Sequence, residues 1–157
     1  MEKRTVRTVR EIATISPFNP LVDLSRPPKM KRGFWAIDHT AGNLWEYNSH
    51  QIRTFQTLGQ LDGGASGSSI VTEIGAKGIN ANLIDWYLEH TLLIPEYFFF
   101  FKFGVFATQT VFVCQDDQRK YIKGLRKSDN QGNKIIAVYK PLEEFFFSDA
   151  AFLIKRF

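Results

Sequence analysis

The chain has 157 residues, 44% apolar and 23% charged, which suits one domain with a sizeable buried core and excludes general disorder. A single cysteine, Cys114, excludes an intrachain disulfide and argues against a small disulfide-stapled secreted domain. The formal charge of +4 is unevenly spread: residues 1–32 hold eight cations against three acids, and residues 33–157 hold twelve against thirteen.

The first 32 residues carry Lys3, Arg4, Arg7, Arg10, Arg26, Lys29, Lys31 and Arg32, together with Pro17, Pro20, Pro27 and Pro28. Proline fixes extended or turn backbone, so this segment reads as an extended basic arm, with Phe18, Leu21, Val22 and Leu24 as its anchors. Residues 33–157 then form a single α+β domain. No apolar stretch follows the first ten residues, so a secretion signal is not expected, and no run is long enough for a membrane span. An intracellular (cytoplasmic) or virion location is expected.

Along the body, Phe34–Asp38 and Leu44–Tyr47 flank the turn residues Thr40 to Asn43 and predict a hairpin, with Trp35 and Trp45 able to pair across it. Residues 49–58 fit a short helix capped by Ser49 or, almost equally, a strand. Residues 59–68 are glycine-rich and read as a loop, and "SIVTEI" reads as a short strand. Leu83, Trp86, Tyr87 and His90 recur at helical spacing, so residues 82–94 predict a helix capped by Asn80 or Asn82 and stopped by Pro95.

The stretch "EYFFFFKFGVF" poses the main packing problem, with Phe98 to Phe101 adjacent. Lys102 and Gly104 interrupt it, which excludes a membrane helix, and alternation predicts a strand whose start is buried on both faces. "TVFVCQ" predicts a further strand. Residues 119–127 can be read as helix or strand; Gly124 and the hairpin pattern of "SDNQGN" before "KIIAVYK" favour an antiparallel meander. The C-terminal "LEEFFFSDAAFLIKRF" is a helix or a last pair of strands. The expected fold class is α+β, a mainly antiparallel β-sheet with one or two packed helices and an extended N-terminal arm.

Catalytic signals are sparse. Asp62, Glu73 and Lys77 stand in the order used by metal-dependent nucleases of the restriction-enzyme type, in which carboxylates hold a hard cation and a lysine supports the attacking water. Lys77 lies four residues beyond Glu73 rather than two, so the spacing departs from that pattern. Asp116/Asp117 and Glu143/Glu144 fit turns, and the three histidines lack metal-ligand spacing. Cys114 lies in an apolar run and reads as a core thiol. The glycines at 59–68 lack a Walker lysine. Basic and aromatic residues interleave at "RGFW" and at 119–127, as in proteins that hold single-stranded nucleic acid. The candidate contact residues are therefore the eight arm cations plus Arg119, Lys120, Lys123, Arg126 and Lys127.

These features imply a non-catalytic interaction or assembly protein. It would be a subunit of a larger complex of virion or ribonucleoprotein type, whose basic arm binds a neighbouring subunit or nucleic acid. The alternative is a metal-dependent nuclease with a divergent site at Asp62, Glu73 and Lys77. No cofactor is expected. The expected partners are protein subunits, of this or another chain, and nucleic acid.

Overall fold

The computed structural model describes residues 20–156. They form a mixed α+β fold with mostly antiparallel strands: β1 (Leu21–Asp23), β2 (Phe34–His39), β3 (Leu44–Glu46), β4 (Ile52–Phe55), α1 (Leu58–Leu61), β5 (Ala65–Ser66), α2 (Gly67–Ile74), α3 (Asn82–Glu89), β6 (Gly104–Cys114), β7 (Lys120–Ser128), β8 (Lys134–Pro141), β9 (Phe145–Phe146) and β10 (Ala150–Lys155). Expectations that fall on residues 1–19, including the anchor at Phe18, lie outside the described residues.

The centre is β6, an eleven-residue strand. One of its edges pairs antiparallel with β7, which continues into β8 as the expected meander. Its other edge is shared. β10 runs parallel to Gly104–Phe106, while β2 runs antiparallel to Thr110–Cys114. β4 closes the sheet on the outside of β10. Period-two alternation along β6 sends Val105 and Ala107 to one face, under α3, and Phe106 to the other, under α2 and β9. Each face thus has its own apolar core.

The phenylalanine run is not a strand. Glu96–Phe100 is a 3-10 helix, and the strand starts only at Gly104, whose φ of +137° is a kink that side-chain-bearing residues rarely adopt. At about three residues per turn the rings fan out instead of alternating. Phe98 is fully buried, edge-on to Tyr87 with ring centroids 5.5 Å apart. The Lys127 ammonium covers Phe99 at 4.4 Å, that of Lys140 covers Phe103 at 4.1 Å, and Phe100 is exposed. Four adjacent rings therefore divide between core, cationic cover and solvent.

Other expectations change in register or type. The strands at 34–39 and 44–46 do not form a hairpin. Gly42 and Asn43 bond back to Leu24 and Thr40 bonds to Gln109, so β3 joins β1 while β2 joins β6. Trp45 consequently stacks on Tyr47 at 5.9 Å rather than on Trp35. "SIVTEI" belongs to a helix. The Ser66 hydroxyl caps α2 by accepting from Ser69 N–H, and Ile70 and Ile74, one turn apart, both bury. The glycine-rich stretch contains α1, closed by a reciprocal capping box between Thr57 and Gln60. The helix at 82 forms, but it ends at Glu89, before Pro95. The Asn80 side chain accepts from Asn82 N–H at its start. Residues 52–55 take the strand alternative, and the C-terminus takes the strand pair.

The expected anchors Val22 and Leu24 are buried in the α3-side core, whereas Leu21 is exposed. Side-chain donors hold this segment against α3: Trp86 Nε1 to Leu21 O at 3.1 Å, and Asn82 Nδ2 to Arg26 O at 2.9 Å. His39 Nε2 lies 3.0 Å from the Arg26 carbonyl, which can only accept, so Nε2 carries a proton, and Nδ1 is hydrogen-bonded with Thr110 Oγ1 at 2.9 Å.

Two tests follow from this packing. A Cβ at Gly124 would lie 2.5 Å from Val105 O and 2.6 Å from the Phe106 ring, so Gly124→Ala should cost about 1–3 kcal/mol in urea unfolding. The Tyr47 and Tyr87 hydroxyls bond at 2.8 Å in the core, and burial raises both phenols above their ordinary range. The folded chain then keeps protons that the unfolded chain releases near pH ~10. Their stabilisation is whole below that pH and is lost as pH rises above it. The melting temperature should fall above pH ~10, and Tyr87→Phe should flatten that fall.

Candidate functional site

Where β10 and β2 part along β6, the backbone of Gln109 has no strand partner on that side. Its N–H donates to Ile79 O and its carbonyl accepts from Thr40 N–H, so two connecting segments fill the gap. A cleft of about 490 Å³ opens here, with Thr108, Gln109, Gly78 and Asn80 in its lining and Asp38 and Lys155 also contributing. The Thr108 hydroxyl is buried without a hydrogen-bond partner. Asn80 and Gln109 spend their amide donors on the cleft walls, on Leu24 O and Thr40 O and on Gly75 O respectively.

The second polar feature is buried. Lys123 on β7 points into the α3-side core, where its ammonium donates to Asp85 on α3 and lies 5.5 Å from the centroid of the Tyr139 ring. Both side chains are about nine-tenths buried. Lys123, a candidate contact residue from the sequence, is therefore turned inward and taken up by this pair. The sequence did show Asp85 two positions after Leu83 and just before Trp86, on a turn that proves buried all round.

Several of the other proposed contact cations have acids of this chain as partners. Lys29 donates to Glu89, and Arg26 lies 3.6 Å from Asp23. Arg119 bridges Glu143 and, at 2.9 Å, Glu144. These pairs raise the pKa of Lys29 and lower that of Glu89. Asp117 is likewise lowered, first by the hydroxyl of Tyr121, which is itself pushed up to about 12. Lys31 lies over the rings of Phe34 and Tyr139, and Lys127 over Phe99. Arg32, Lys120 and Arg126 make no ion pair among the described residues. Lys3, Arg4, Arg7 and Arg10 lie outside the described residues.

Asp62 caps the end of α1, Glu73 is on the exposed side of α2, and Lys77 ends the 3-10 turn that follows. No hydrogen bond or ion pair joins any two of them, and the strand that the nuclease arrangement needs at Glu73 is a helix. Among the described residues, no group of three or more His, Cys, Asp or Glu side chains could hold a metal ion. No helix among them is long and apolar enough to cross a membrane.

The third feature is an apolar patch. Leu58 and Leu61 on α1 are 82% and 52% exposed, and Phe145 in β9 and Phe147 just after it are 52% and 51% exposed. Gln60 draws these elements together by donating to Phe147 O at 2.7 Å. A Cβ on Gly64 would meet both rings, at 2.6 Å and 3.2 Å, so the loop before β5 lies directly against them. The patch is flanked in sequence by Asp62, Glu143, Glu144 and Asp149, of which Asp62 and Asp149 make no ion pair among the described residues.

No protein-family model matches the chain, and neither curated proteins nor solved structures give a match.

The buried pair yields a double-mutant test. Asp85→Ala should cost about 3–5 kcal/mol in urea unfolding because it strands the Lys123 ammonium, whereas Asp85→Leu combined with Lys123→Met should recover most of that loss.

Proposed function

We propose that this chain is an interaction and assembly protein, a subunit of a larger complex of virion or ribonucleoprotein type, whose basic N-terminal segment binds a neighbouring copy. The observation that carries this reading is the patch of Leu58, Leu61, Phe145 and Phe147. Contiguous exposed rings beside exposed leucines suit a protein partner better than solvent.

Residues 1–19 have the complementary chemistry. They interleave Val6, Val9, Ile12 and Ile15 with Lys3, Arg4, Arg7 and Arg10, which suits an apolar floor with Asp62 and Asp149 close by in sequence. Arg26 and Lys29 have partners in their own subunit, so the cations available for a neighbour are the four before residue 19, with Lys31 and Arg32.

Removal of residues 2–19 is the test. The cut stops there because Val22 and Leu24 belong to the core. Native mass spectrometry should show the full chain associating with itself. The shortened chain and Phe145→Ser/Phe147→Ser should both be monomeric, with unchanged circular dichroism. A monomeric full chain, or an assembly untouched by both changes, overturns the reading.

A further inference from the structure

We infer that the outer edge of the sheet, formed by β4 and the end of β10, is a binding face for the phosphate backbone of single-stranded nucleic acid. This goes beyond the assembly reading and uses no residue of 1–19 or of the phenylalanine patch.

Two shallow grooves meet at this edge, of about 420 and 460 Å³. They share Arg53 and Arg156. One continues past Lys77 and Lys155 over Ile154, and the other past His50 and Thr54 to Tyr97. The register explains the convergence. Arg53 on β4 stands opposite Ile154 on β10, Arg156 N–H donates to Gln51 O at 2.9 Å, and a bridge from Gly78 to Ile154 brings Lys77 alongside. Four cations from three separate stretches of sequence are thus gathered on one strip.

These cations differ from Arg26, Lys29, Arg119 and Lys123 in one decisive respect. None of the residues lining either groove is acidic, and none of Arg53, Lys77, Lys155 and Arg156 makes an ion pair among the described residues. Elsewhere the chain neutralises Arg26, Lys29, Arg119 and Lys123 with its own carboxylates. Unneutralised guanidinium and ammonium groups along a groove attract phosphates in series, and guanidinium can bond each phosphate in bidentate fashion. Two connected grooves are longer than a lone phosphate needs. The half-exposed ring of Tyr97, with Arg53 close to its hydroxyl, offers a face on which a base can stack.

The test is fluorescence anisotropy of the full chain with a labelled oligothymidylate longer than the roughly 4–16 nucleotides that one small domain covers. The parent should bind with strong salt dependence. Arg53→Glu/Arg156→Glu should weaken binding at least about tenfold and flatten the log–log salt slope by about 1.4, the share of two single-strand phosphate contacts. Arg53→Lys/Arg156→Lys should keep most of the affinity. Lys77→Glu/Lys155→Glu, at exposed positions, should reproduce the loss independently. Replacing Lys3, Arg4, Arg7 and Arg10 by Gln, which tests the assembly reading, should leave the contribution of Arg53 and Arg156 in place. Oligonucleotide binding unchanged by both Glu pairs overturns the inference. So does binding of the parent to phosphatidylserine vesicles but not to the oligonucleotide.

Discussion

Both edges of β6 lie in the interior, so every backbone donor and acceptor along its eleven residues needs a partner. No single strand supplies them on the β2/β10 side. β10 covers the beginning in parallel and β2 covers the end in antiparallel fashion, and Ile79 and Thr40 bond the residue between them. That division sets much of the architecture. It brings the last described strand into the middle of the sheet, leaves β4 as an outer edge, and opens the cleft at Thr108.

Charge is handled in two ways on the two sides of this sheet. Toward β7, β8 and α3, Lys29, Arg119, Lys123 and Lys140 are matched internally, most completely where Asp85 meets Lys123 under the Tyr139 ring. A buried pair of this kind adds less net stability than its Coulomb energy suggests, because both ions lose water; its cost appears when one partner is removed. Toward β4 the cations stand in open grooves with no carboxylate in the lining. Formal net charge does not register this difference. The cationic strip and the phenylalanine patch are built from different residues and share none.

The sequence showed what depends on local pattern. The helical spacing of Leu83, Trp86 and Tyr87 gave α3, the alternation and turn residues after Arg119 gave β7 and β8, and the α+β class followed. Pairing between distant segments was hidden. "GFWAIDHTAGNLWEY" has the local form of a hairpin, yet Leu24, Asn80 and Gln109 supply stronger partners from elsewhere, and no local rule contains them. The phenylalanine run defeats simple alternation because Glu96–Phe100 winds as a 3-10 helix and the strand starts only at Gly104. The helical nature of "SIVTEI" was legible in principle from Ser66 as a cap and from the spacing of Ile70 and Ile74, but its β-branched residues drew the strand reading. At the candidate surfaces, lysines and arginines could be counted while their partners could not. Arg53 and the adjacent pair Lys155 and Arg156 lie about a hundred residues apart along the chain, and only the pairing of β4 with β10 brings them together.

The placement of β10 also bears on how the chain is made. Residues 150–155 insert between β4 at residues 52–55 and β6 at residues 104–114, both synthesised well before them, so neither core face closes until they have left the ribosome. Until then Phe98, Phe106 and the inner edge of β6 stay uncovered in the nascent chain. Chaperone cover of these surfaces until residues 150–155 emerge therefore bears on how much chain reaches the folded state.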